Sequence, residues 1–223
     1  MVAAAAGESS IVLSMRAWRT ELSAAAIAAL VILGVAIPGR AACPSPPAEV
    51  TIDVQAGQPA IDNSLPQPAL QRIAGSAHHA GRTLGLYKAE FKATWRVGLR
   101  QRRDEQATCR WVESVALTLA IFDRRIYVVR ERRPGTCAYD AVLAHERKHQ
   151  AVDDALIREY VPRLRRVIEA AVPPGALAKE QALTQPIGVA IQRELAAMSA
   201  ARAARQAAVD SPHEYRRVRA ACG

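Results

Sequence analysis

The chain has 223 residues and a formal net charge of +9, from 30 Lys and Arg against 21 Asp and Glu. The basic residues are nearly all Arg, and they are scattered rather than gathered into one face with aromatics between them, which argues against nucleic-acid binding. The charge reads instead as a solvated basic surface with weak attraction to anionic envelope polymers.

Residues 1–42 read as a signal peptide. Arg16 and Arg19 supply a basic start, and Ala24 to Ile37 is an uncharged apolar run of 14 residues. Pro38, Gly39, Ala41 and Ala42 follow, in the order of a secretory signal with a small-residue cleavage site. The run is short of the roughly 20 apolar residues that span a bilayer. The expectation is therefore a periplasmic or secreted protein with no membrane span after cleavage. An uncleaved N-terminal anchor is the alternative.

Residues 43–84 form a Pro-rich segment with a short strand at Val50–Val54 and a helix from Pro66 to Arg82. His78 and His79 close that helix. Adjacent helical residues point about 100° apart, so the two do not easily share one metal ion.

From Tyr87 to Leu99 apolar and polar residues alternate, the signature of a strand with one buried face. Trp111 to Ile121 is more apolar throughout and reads as a central strand. Phe122-Asp123-Arg124 is expected to turn the chain, with Arg125 to Arg130 as the return strand. A long helix starts near Ala138, with Val142, His145, His149, Val152, Leu156 and Tyr160 on one face. Pro162 is a candidate kink. Val172-Pro173-Pro174-Gly175 stops the helix, and a second helix runs from Ala178 to Val209. Asp210-Ser211-Pro212-His213-Glu214 opens a last short helix. The fold class expected is α+β, a small antiparallel sheet of three to four strands packed against a long helical hairpin.

Four cysteines, Cys43, Cys109, Cys137 and Cys222, all follow the signal, and an even number in an exported chain argues for disulfides. Cys109 and Cys137 each lie 14 residues from Asp123, so a hairpin folded there predicts Cys109–Cys137 and leaves Cys43–Cys222.

His145-Glu146-Arg147-Lys148-His149 is the candidate site. On a helix, residues four apart share a face, so both imidazoles can reach one zinc ion (Zn2+). Glu146 lies beside them and is placed to act as general base on water acidified by the metal. A catalytic zinc needs three protein ligands and an open position. Asp153 lies eight residues from His145, about 12 Å along a helix, and reads as a residue that supports His149 from behind. If the chain reverses near Gly175, His145 faces roughly residue 205, and the segment just beyond carries His213. His213 is then either the third ligand or part of a helix cap formed by Asp210 or Ser211 with Glu214. Glu194 on the second helix is a further candidate.

The stretch Tyr139–Leu156, the helix pair after it and Asp210–Tyr215 together resemble a group of small bacterial secreted proteins described as zinc-dependent proteases, within a domain of otherwise unknown function. The resemblance covers roughly residues 85–222 and implies a zincin-like catalytic domain over 85–223, acting on a peptide or protein substrate. The rival expectations are a catalytically inactive, zinc-stabilised envelope protein that binds peptidoglycan or a protein partner, and a metal-free interaction domain.

Overall fold

The computed structural model describes residues 43–75, 83–103 and 107–222. The expected signal peptide over 1–42 lies outside the described residues, as do His78 and His79. In chain order the elements are β1 (Glu49–Ala56), β2 (Ala60–Asp62), α1 (Gln67–Ala74), β3 (Gly85–Arg103), β4 (Thr108–Val128), α2 (Cys137–Ala171), α3 (Glu180–Val209) and α4 (Pro212–Ala220).

The architecture is α+β, but the expected antiparallel sheet is overturned. Of the three strands paired with central β4, only β3 is antiparallel; β1 and β2 both run parallel to it. Parallel pairing needs a long connection, and α1 with the whole of β3 lies between β2 and β4. β1 pairs with residues 114–121 of β4 and β2 with 125–127, so the two form one edge line with a gap at Gly57–Pro59.

That gap lies beside a β-bulge. Pairing steps from Lys88↔Arg125 to Glu90↔Phe122, so Asp123 and Arg124 together face the single residue Ala89. Asp123 takes a left-handed backbone (φ 48°), which its short polar side chain tolerates better than most. The bulge shifts the phase of the strand. Val115, Leu117, Leu119 and Ile121 face inward before it, and Arg124, Ile126 and Val128 after it. The turn expected at Phe122–Arg124 is this bulge, and β4 runs through it as one strand of 21 residues.

Unbroken, β4 cannot bring Cys109 opposite Cys137, since 20 steps of about 3.3 Å span roughly 66 Å. The disulfides are instead Cys43–Cys109 and Cys137–Cys222, with Cα–Cα distances of 5.3 and 5.7 Å. Both expected pairings are thereby corrected. The first bond ties the chain ahead of β1 to the start of β4. The second ties the end of α4 to the first residue of α2.

α2 begins at Thr136, whose side chain accepts from the Tyr139 amide, and it continues through Pro162 to 35 residues. α3 returns antiparallel beside it. Ion pairs Asp153–Arg202 and Arg163–Glu194 mark the register. The two helices cover one face of the sheet. Leu156, Leu164 and Ile168 of α2 and Leu183, Ile187 and Ile191 of α3 join Val115, Leu117 and Leu119 in one core. Fully burying such a side chain contributes about 1.5–3 kcal/mol, which fixes the helix pair on the sheet. No helix among the described residues is long and apolar enough to cross a membrane. Two disulfides fit an exported protein.

Candidate metal centre

His145 and His149 lie one turn apart on the buried face of α2, near its capped start. Antiparallel packing carries the end of α3 back to that point. Asp210, which ends α3, sits in the joint where the chain turns into α4. Ser211 takes over as cap of α4, its side chain accepting from the Glu214 amide, so the Asp210 carboxylate is left for other work. Asp210 Oδ1 lies 3.3 Å from His145 Nε2 and 3.2 Å from His149 Nε2. Among the described residues, these three side chains form a group that could hold a metal ion, with ligand atoms within 4.8 Å of one another.

The spacing of the donors suits a small divalent cation. Bonds of about 2.0–2.1 Å at tetrahedral angles place ligand atoms roughly 3.3–3.4 Å apart, close to the two distances seen. The protonation of His149 bears on the same point. The Gln206 side-chain amide donates to His149 O at 3.1 Å and to Asp153 Oδ1 at 2.9 Å, which uses both its hydrogens. Its oxygen must then accept from His149 Nδ1–H. His149 Nε2 then faces the Asp210 oxygen either as a donor, in the imidazolium, or as a lone pair with a cation between them. Two acceptors at that distance repel unless a cation or a proton lies between them.

Asp153 is fully buried and bound by Arg202, whose Nε and Nη2 donate at 2.8 and 3.1 Å. It supports His149 as expected in direction but not in contact, because Gln206 stands between them. His145 Nδ1 has no hydrogen-bond partner, and Glu214 Oε1 lies 3.6 Å from it. Glu214 in turn bridges Lys148 and Arg217. Those cations, Arg217 foremost, hold its carboxyl well below the usual range. The Tyr215 hydroxyl donates to Asp210 Oδ1 at 2.8 Å, and its ring centroid is 5.5 Å from that of His145.

Burial works against charge throughout this site. It pushes the Glu146 carboxyl up to about 7, although His149 and His145 pull the other way. On Asp210 burial is outweighed by hydrogen bonds from His145, His149 and Tyr215, and the carboxyl stays far below its ordinary value. On His149 the Asp210 and Gln206 contacts overcome burial and raise the pKa. Burial and the neighbouring Asp210 charge raise the Tyr215 phenol.

Glu146 projects towards the start of β3. A Cβ on Gly85 would meet Glu146 Oε1 at 2.4 Å and Val142 Cγ1 at 2.6 Å. The absence of a side chain there lets the carboxylate lie against the strand, where the Tyr87 backbone bonds it.

His213, expected as a ligand, is exposed on α4 and outside the group. Glu194 pairs with Arg163 at 2.6 Å, well up the helices from the site. The hairpin arithmetic reached the right segment but stopped about one turn short: His145 faces Asp210, not residue 205. Asp210, Gln206, Tyr215 and Gly85 are the residues that sequence reasoning missed. The available signal was the i, i+4 spacing of Gln206 and Asp210, which puts both on one face at the end of α3. No family model, no curated protein and no solved structure matches this chain.

Proposed function

We propose that this chain is an exported zinc-dependent metallopeptidase, acting in the periplasm or outside the cell. In this reading His145, His149 and Asp210 hold the ion and Glu146 is the general base. The observation that carries it is the convergence of two imidazole nitrogens on one carboxylate oxygen at 3.2 and 3.3 Å. Three protein ligands leave a fourth position open, as a catalytic site requires and a closed structural site does not. A bound zinc ion would polarise a peptide carbonyl and lower the pKa of a water molecule. Glu146, next to His145 on the same buried turn, is placed to take a proton and return it to the leaving amine. β3 pairs only with β4 among the described residues, so its other edge can receive an extended substrate backbone next to Glu146.

Two measurements test it. Elemental analysis of the purified chain should find about one zinc per molecule, and a value near zero would defeat every metal reading. Zinc-loaded protein should cleave members of an unbiased peptide library, and Glu146→Gln should abolish cleavage with zinc retained. The burial of His145, Glu146 and His149 favours the rival, a zinc-stabilised protein without turnover. That rival is supported if the loaded wild type cleaves nothing.

A further inference from the structure

We propose that the groove between the free edge of β3 and helix α3 selects the substrate, an extended polypeptide in which apolar residues alternate with acidic ones. This rests on the peptidase reading of the metal centre and names the substrate class of that site.

A cavity of about 310 Å³ lies between α3 and the sheet, lined by Phe91, Lys92 and Ala93 of β3, Leu119 of β4, and Leu195, Met198 and Arg202 of α3. Consecutive strand residues point to opposite faces, so a cavity touching three in a row reaches the edge of the strand. Its volume is at the lower end of the roughly 300–1,000 Å³ of small-ligand pockets. Arg202 adds no free charge to the wall, since it is bound to Asp153 and its guanidinium lies 4.9 Å from the Phe91 ring centroid. Tyr87, whose backbone bonds Glu146, precedes Phe91 on the same strand.

A strand added to the free edge of β3 would send alternate side chains down between β3 and α3. Tyr87 and Phe91 share a face and are four residues apart, about 13 Å. The cavity therefore receives an apolar side chain about four positions from the bond next to Glu146. The other side chains of the added strand point to the opposite face of the sheet. There β3 presents Lys88, Glu90, Lys92, Arg96 and Arg100, and Glu90 pairs with Lys88. Lys88 is paired with Asp123 and Arg100 with Glu113. Lys92 and Arg96 are exposed and have no ion-pair partner among the described residues. Opposite charges on neighbouring strands attract and like charges repel, so the outward row of the substrate is acidic.

The test is fluorescence anisotropy with labelled peptides on the full chain carrying Glu146→Gln, which prevents turnover. Three peptides of equal length alternate Leu with Glu, Leu with Lys, and Ser with Glu. The Leu/Glu peptide should bind about tenfold more tightly than either control, summing two favourable cross-strand pairs and the lost repulsions. Lys92→Glu with Arg96→Glu, both at the surface, should reverse the preference for Glu over Lys. Met198→Trp, which fills the groove, should weaken Leu/Glu binding by a similar factor. Equal binding of Leu/Glu and Leu/Lys, or a preference unmoved by the double charge reversal, would overturn the proposal. Charge-dependent binding with no cleavage by the zinc-loaded wild type would overturn the peptidase reading and uphold the groove. Cleavage of all peptides regardless of charge would do the reverse.

Discussion

Gly85 offers the sharpest probe of how Glu146 is held. In Gly85→Ala the new methyl would stand 2.4 Å from Glu146 Oε1 and 2.6 Å from Val142 Cγ1. Carbon atoms do not approach carboxylate oxygens so closely, so something must move. β3 is fixed by its ladder to β4, with Gly85 itself paired to Val128. Val142 is buried in α2, and the carboxylate is the free end of a long side chain. The displacement therefore falls mainly on Glu146, which leaves its bond to the Tyr87 backbone. His145 and His149 point to Asp210 and are not crowded. The variant should bind zinc with nearly wild-type affinity. Turnover should fall by about 10²–10⁴-fold, the usual contribution of a positioned general base. Overpacking at Val142 should lower stability by about 1–3 kcal/mol. Zinc titration, kcat on a cleaved peptide and urea unfolding read the three effects separately. Full turnover in Gly85→Ala would refute the assignment of Glu146 as a base held by this strand. Loss of zinc with turnover would show that the glycine supports the whole site.

Other variants address the supports around it. Glu146→Gln should change stability with pH in chelator. The folded-state pKa near 7 lies above the ordinary 4.5, so the metal-free wild type loses stability as pH rises between those values, and Gln does not. Relative to wild type the variant should gain about 3 kcal/mol at pH 8 and nothing at pH 4 in urea unfolding, and a pH-independent difference would contradict this. Gln206→Leu removes the group that fixes the His149 tautomer, and zinc affinity in a competition titration should fall about 10–100-fold. Removing the second disulfide with Cys137→Ala and Cys222→Ala frees α4, which holds Glu214 and Tyr215 against His145. The chain-entropy cost of an open loop of that length is roughly 4.6 kcal/mol. The melting temperature and the zinc affinity should therefore fall together, and an unchanged affinity would place α4 outside the site.

The paired histidines were legible because their spacing, four residues, is a property of the helix itself and needs no knowledge of the fold. The third group was not. Asp210 stands before Ser-Pro, where a carboxylate is usually a cap, and only the structure shows Ser211 taking that role. The strands at Val50–Val54 and Tyr87–Leu99 were legible from composition and alternation. The direction of β1 was not, since it finds its partner more than 50 residues later. Asp123 was misread for a local reason. A residue that favours a left-handed backbone marks a turn and a bulge equally well, and the flanking apolar residues change phase in both. The disulfide error followed from that one choice.

Asp210→Asn separates the two species that could lie between the imidazoles and the carboxylate. If a proton holds them, His149 is an imidazolium paired with Asp210, and removing the charge destabilises the protein equally with or without metal. If a metal ion holds them, the loss appears mainly when metal is present, because the amide is a poor ligand in place of the carboxylate. Ligand binding stabilises a fold by RT ln(1 + [L]/Kd), about 2.7 kcal/mol at a hundredfold excess over Kd. On the metal reading, micromolar zinc should raise the melting temperature of the wild type by several degrees and leave Asp210→Asn nearly unmoved. The two should differ little in chelator, since the neutral amide still accepts from Tyr215. A wild type that gains nothing from zinc, with a variant equally destabilised in both conditions, would assign this joint to a buried ion pair. The pairing of α2, α3 and α4 at that point would then be structural.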